Sequence, residues 1–163
     1  MRILGACQLV DVLAEWGSHN TEWRVHRTVT DPADAVEVAL TYYAQLVGRV
    51  LSASPRAFFL AEFDAGDVPV LVAVNGRAPL ADWAAVRARD PGHAGGYIRA
   101  MVDSPEPVAG PLVCACAGEA VGERVRVQPP LVVFDGCHRG AAWVLRGSAD
   151  PIAARLILTE QPP

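Results

Sequence analysis

Short apolar runs alternate along this chain with polar, Pro- and Gly-rich stretches, and the spacing within each run separates helices from strands. Asp31 followed by Pro32 reads as a helix N-cap with proline in the first helical position, after which Val36, Leu40, Tyr43 and Val47 recur at helical spacing. One helix to about Leu51 is predicted. Ala57 to Phe63 and Val68 to Val74 are buried-strand patterns separated by Asp64-Ala-Gly-Asp67, a connection expected to make them a hairpin. Pro79 to Arg89 has helical composition and ends before Asp90-Pro91-Gly92. His93 to Tyr97 reads as a flexible joint leading into a short helix from Ile98 to Val102.

The segment from Ser104 to Pro111 carries three prolines and is expected to be non-helical. Strand patterns follow at Leu112 to Ala117, Arg124 to Gln128 and Leu131 to Phe134, then a helix from Cys137 to Arg146 and a strand from Ala153 to Leu158. The last four of these elements are therefore β-β-α-β. Continuous aliphatic runs such as VPVLVAV suggest strands covered on both faces, so the expected class is α/β, a mixed α+β layer architecture.

The length of 163 residues fits one domain with one ordinary core. A net charge of −4 gives no cationic face for a phosphate backbone, which makes duplex DNA a poor partner. A DNA-binding role would also need an appended helix-turn-helix, for which Pro162-Pro163 after the last strand leaves no room. Every one of the 14 basic residues is arginine. This excludes a Schiff-base lysine, a Walker A lysine and a Ser-Lys dyad, and the Arg-only, Ala/Val/Gly/Pro-rich composition hints at a GC-rich bacterial genome. No apolar run is long enough to cross a bilayer, and the four cysteines are too irregularly spaced for a disulfide framework, so a cytoplasmic protein is expected.

The chemistry concentrates in one stretch, LVVFDGCHRGAAW from Leu131 to Trp143. An apolar strand ends at Asp135-Gly136 and a helix begins at Cys137, which puts a helix N-terminus, with its unpaired N–H groups and partial positive charge, at a strand end. Gly136 permits close backbone approach, and Arg139 adds a fork of donors suited to phosphate oxygens. An arginine there is electrostatically awkward unless an anion or a carboxylate compensates it. Cys137 at a helix start is expected to have a lowered pKa and to be either a nucleophile or an inert, semi-buried thiol. His138 reads as a phosphate contact, a proton-transfer group or a local hydrogen-bonding residue. Asp135-Gly136 also reads as an ordinary turn.

FDGCHRGAAW resembles the ParB/sulfiredoxin superfamily. Sulfiredoxins carry Phe-Gly-Gly-Cys-His-Arg, matched by Phe134, Gly136, Cys137, His138 and Arg139, with Asp135 in place of the first glycine. Free-serine kinases carry Asp-Gly-His-His-Arg, matched by Asp135, Gly136, His138 and Arg139, with Cys137 departing. Partition proteins share only Gly136 and Arg139. The match covers about ten residues closely and extends over roughly the last third of the chain; 97–160 is then the superfamily-like core, and 1–96 matches no family pattern.

The resemblance implies ATP with Mg²⁺ and an ATP-dependent phosphotransferase acting on a small hydroxylated metabolite. Gly136, Cys137, His138 and Arg139 would hold phosphate, and Asp135 would bind Mg²⁺ or orient the acceptor. Glu15 and Glu22, in the polar segment between them, are the candidate bases. A sulfiredoxin-like sulfinic acid reductase using Cys137 is the second reading, and a non-catalytic nucleotide-binding or interaction module is the third. Two further readings concern metals and aromatics. Cys114 and Cys116, on one face of a strand, could join Cys137 and His138 around a metal, and Trp16, Trp23, Tyr42 and Tyr43 could line a pocket rather than the core.

Overall fold

The computed structural model describes residues 1–18, 29, 31–74, 78–108, 110–122 and 124–160. A six-stranded mixed sheet runs through it in the order β1-β2-β6-β4-β5-β3: β1 (Arg2–Cys7), β2 (Pro55–Phe63), β3 (Leu71–Ala73), β4 (Leu112–Val121), β5 (Arg124–Asp135) and β6 (Ile152–Thr159). The β1–β2, β2–β6 and β4–β5 pairs are antiparallel, while β4–β6 and β3–β5 are parallel. The expected mixed α and β class is what the chain adopts.

Helices cover both faces, and strand alternation assigns each side chain to one of them. Leu131 and Val133 of β5, Cys114 and Cys116 of β4, and Leu156 and Leu158 of β6 face α4 (Leu80–Arg87), α5 (His93–Asp103) and α6 (Cys137–Leu145). Phe134, Val113, Ala115 and Ile157 face the opposite way, toward α1 (Leu9–Ser18), α2 (Pro32–Tyr42) and α3 (Ala44–Ser52). The near-continuous apolar runs of β4 and β5 are thus explained by burial on both sides. α1 and α2 approach so closely that a Cβ on Gly17 would lie 1.8 Å from the Ala35 carbonyl oxygen, so glycine is required there.

Several local expectations are corrected by tertiary contacts. The helix expected from Asp31 to Leu51 does start on the Asp31 cap, whose carboxylate accepts from the N–H groups of Ala33 and Asp34. It breaks at Tyr43, where φ −114° and ψ 18° leave the helical region, so that α2 buries Ala35, Val38 and Ala39 while α3 buries Val47 and Val50. Leu40, expected inside, is 48% exposed. The expected hairpin is absent. Asp64 and Asp67 form a reciprocal capping box that winds Ala65–Val70 into a 3₁₀ helix, and β3, only three residues long, pairs in parallel with β5 instead of returning along β2.

The segment His93 to Tyr97 is the first part of α5 rather than a joint. The two strands expected around Pro129-Pro130 are one continuous strand, β5. Near the N-terminus, where the sequence reading assigns no element, the chain forms β1 and α1, and Glu15 lies on α1.

Candidate functional site

The predicted strand, turn and helix start form as expected: β5 ends at Asp135, Gly136 is the N-cap of α6, and no side chain caps that helix. Gly136 adopts φ +79° and ψ 15°, a left-handed conformation that an L side chain takes only at a cost. Any Cβ there would also come within 2.9 Å of Arg139 Nη2 and 3.0 Å of Leu112 Cδ2. Glycine is needed here on two counts, and it lets the guanidinium lie directly across the turn.

Arg139 is the organising residue. Its Nη2 donates to Pro111 O at 2.8 Å and to Asp135 Oδ2 at 3.1 Å, one helical turn back. The compensating carboxylate that the electrostatics require is therefore the protein's own Asp135. Even so, the guanidinium is only partly used: its side chain is 12% exposed, Nε is buried without an acceptor, and Nη1 meets no acceptor among the described residues. A buried donor without a partner costs on the order of 1–3 kcal/mol. Its place beside a pocket gives that cost a functional reading.

The pocket, about 220 Å³, opens between Arg139, Tyr97 and Met101 of α5, and the following segment from Ser104 to Val108. Its wall is mainly apolar, and its polar residues besides Arg139 are Tyr97, Ser104, whose hydroxyl accepts from the Glu106 N–H at 3.1 Å, and the exposed Glu106, whose backbone carbonyl accepts from Arg146 Nη1 at 2.5 Å. Residue-by-residue reading of the sequence missed Ser104 and Glu106, because nothing local distinguishes them from other polar residues in a proline-rich loop. Only the docking of α5 against α6 brings that loop to Arg139.

The remaining expected site residues divide. His138 stands on the same helix start and packs edge-on against Trp83 (5.5 Å between ring centroids) and Tyr97 (6.2 Å). Tyr97, rather than the imidazole, forms the pocket wall. Cys137 departs from the expectation of an activated thiol: it is buried, its Sγ donates to Val133 O at 3.3 Å, and burial pushes its pKa up from 9.0 to about 11. Desolvation outweighs the helix terminus, so the thiol stays protonated at neutral pH. Glu15 is ion-paired with Arg155 of β6 on the α1 face of the sheet, and the sheet stands between it and α6. The structure does not bring Glu15 to the turn, and Glu22 lies outside the described residues.

No protein-family model, no curated protein and no solved structure matches the chain.

The metal reading from cysteines meets the same burial. Cys114 and Cys116 do share a face with Cys137, but they are core residues, with both thiol pKa values raised by desolvation, that of Cys116 to about 12. Among the described residues no three His, Cys, Asp or Glu side chains are grouped to hold a metal ion. Asp135, the expected Mg²⁺ ligand, is a single carboxylate already committed to Arg139. That donor set does not fit a resident cation. Of the aromatics, Trp16 and Tyr43 pack against each other in the α1 to α3 core at 5.9 Å, Tyr42 is exposed, and Trp23 lies outside the described residues. Among the described residues no helix is long and apolar enough to cross a membrane.

Proposed function

We propose that this chain is an ATP-dependent phosphotransferase of ParB/sulfiredoxin-like fold, acting on a small hydroxylated metabolite, with the terminal phosphate of the nucleotide held where α6 begins. The observation that carries this reading is Arg139: a nearly buried guanidinium whose Nε is buried without an acceptor and whose Nη1 meets none among the described residues, lying across an uncapped helix N-terminus on the wall of a pocket. Phosphate oxygens supply the acceptors these donors lack, and the helix terminus adds a favourable field. The resemblance of Phe134-Asp-Gly-Cys-His-Arg139 to the superfamily turn supports the choice of nucleotide. At about 220 Å³ the pocket is smaller than the roughly 300–1,000 Å³ that encloses a drug-sized ligand, so the base and ribose lie outside it.

Asp135 acts in this reading as an internal counter-ion. It holds Arg139 over Gly136 and competes with the incoming phosphate for the same guanidinium. Because the carboxylate does not fit a resident metal, Mg²⁺ enters only as the counter-ion of ATP. The second reading, thiol chemistry at Cys137, loses support from the buried, protonated state of that sulfur.

The test is calorimetric titration of ATP, with tripolyphosphate titrated in the absence of metal, into wild type, Arg139→Ala and Asp135→Asn. Arg139→Ala is expected to weaken both ligands about 10- to 100-fold, the range for hydrogen bonds to a charged group. Asp135→Asn is expected to tighten tripolyphosphate by removing its competitor. Unchanged affinity in Arg139→Ala, with the fold verified by its melting temperature, overturns the assignment. Binding without turnover on any alcohol leaves a nucleotide-binding module in place of the enzyme.

A further inference from the structure

The pocket wall from Ser104 to Val108 offers α6 acceptors rather than donors. Pro105 and Pro107 have no N–H, which leaves donors at Ser104, Glu106 and Val108. The Ser104 N–H is spent on Ala100 O and the Glu106 N–H on Ser104 Oγ, each at 3.1 Å and both inside the turn that ends α5. The carbonyls are what remain. Arg146, half-buried at the C-cap of α6, donates Nη1 to Glu106 O at 2.5 Å. Arg139, about two helical turns earlier, donates in the same way to Pro111 O.

The two anchors differ in what they hold. Pro111 is buried at the start of β4, where Leu112 pairs with Ala154 of β6, so the sheet keeps it in place without help from Arg139. Pro105, Glu106 and Pro107 are exposed and belong to no strand or helix. Among the described residues, the hydrogen bond that ties them to the rest of the fold is the one from Arg146.

We infer, resting on the phosphotransfer reading above, that Arg146 is a positioning residue of the anion site: through the Glu106 carbonyl it keeps the Ser104–Val108 wall against α6, and so shields the phosphate on Arg139 from bulk water. Arg146 is absent from the pocket lining and does not touch the ligand. Its effect runs through the solvent. A charge pair at an effective dielectric of about 20 is roughly four times stronger than the same pair in bulk water, so a wall that stays closed strengthens the grip of Arg139. Linkage makes the effect reciprocal: a closed wall that favours the anion is itself favoured by the anion, by the same factor.

The experiment combines calorimetric titration of metal-free tripolyphosphate with amide hydrogen exchange across Ser104–Val108, read by mass spectrometry with and without that ligand, in wild type, Arg146→Met and Arg146→Lys. Methionine keeps an unbranched stem and cannot donate, whereas lysine keeps a charged donor. Arg146→Met is expected to speed exchange in the wall about 10- to 100-fold, the range for loss of a hydrogen bond to a charged group, with exchange in β4 unchanged. It is expected to weaken tripolyphosphate about fivefold or more, as the fraction of molecules with a closed wall falls. Arg146→Lys is expected to recover most of both, and saturating tripolyphosphate to slow exchange in the wild-type wall.

Faster exchange with unchanged affinity makes Arg146 a structural tie only, and unchanged exchange in Arg146→Met makes it no tie at all; either overturns the inference while the phosphotransfer reading stands. Affinity lost in Arg146→Met without any slowing of wild-type exchange by tripolyphosphate makes Arg146 a direct charge partner of the anion and overturns it equally. Should Arg146→Met fail to fold, the slowing in wild type decides alone. A wild type with no affinity for ATP or tripolyphosphate overturns the phosphotransfer reading and this inference together.

Discussion

Two mostly buried arginines, Arg139 and Arg155, lie on opposite faces of the same sheet, each paired with a carboxylate and each with a buried Nε that has no acceptor among the described residues. Arg155 and Glu15 join β6 to α1 across a long stretch of chain, and each side chain is about one-fifth exposed, at 20% and 22%. Arg139 and Asp135 are neighbours one helical turn apart, and their pair crosses a helix terminus at the wall of a pocket. The ion pair itself is therefore uninformative about function. What separates a structural tie from a candidate site is the space beside it and the polar groups that share that space.

The comparison can be broken by substitutions that touch one face only. The largest effect is expected at Gly17→Ala, where the added methyl meets the Ala35 backbone: α1 and α2 must separate, and stability is expected to fall by about 3 kcal/mol or more in chemical denaturation, with ligand affinity unchanged per folded molecule. Glu15→Ala leaves Arg155 without its partner on the same face. A loss of about 2 kcal/mol is expected, below the range for fully buried pairs because both groups retain some solvent, again without effect on ATP titrations. If Glu15→Ala instead abolished turnover in a stable protein, the α1 face would have to join the site.

On the other face, Arg139→Ala is expected to affect binding more than stability, which inverts the pattern of Glu15→Ala. A melting-temperature loss as large as that of Glu15→Ala with intact ATP affinity would make the two pairs equivalent and remove the distinction. Cys137 sharpens the contrast by pH. Its native pKa is raised from 9.0 to about 11, so the folded state keeps a proton that the unfolded chain releases. The associated stabilisation is complete below pH 9 and is lost as the pH rises from 9 through 11, at a slope of about 1.4 kcal/mol per pH unit for one thiol. Denaturation curves across that range should show a shallower decline in Cys137→Ser, whose hydroxyl does not titrate there. The smallest expected effect is that of Cys137→Ser on phosphotransfer, within about twofold at neutral pH; loss of turnover there would restore the thiol reading.

Glu106 illustrates why part of the site was not legible in the sequence. The Asp135-Gly136 turn, the helix start at Cys137 and the special position of Arg139 follow from neighbours within a few residues, and all three appear where the sequence puts them. Glu106 lies in a proline-rich loop far from that turn, and only the packing of α5 on α6 carries it to the same pocket. Glu15 shows the reverse: a carboxylate assigned to the site by type alone is held on the opposite face by Arg155.

By itself the sequence determined the mixed class, the helix and strand that follow Gly136, and the turn at Asp135-Gly136. Those features depend on periodicity, caps and glycine geometry, which act over a few residues. Tertiary structure alone decided that Val68–Val70 is not a strand, that the helix after Asp31 breaks at Tyr43, that Cys137 is a protonated core thiol and that Asp135 neutralises Arg139. Burial and charge pairing fix these, and both depend on which distant residues close around a side chain, Pro111 and Leu112 at the α6 turn among them.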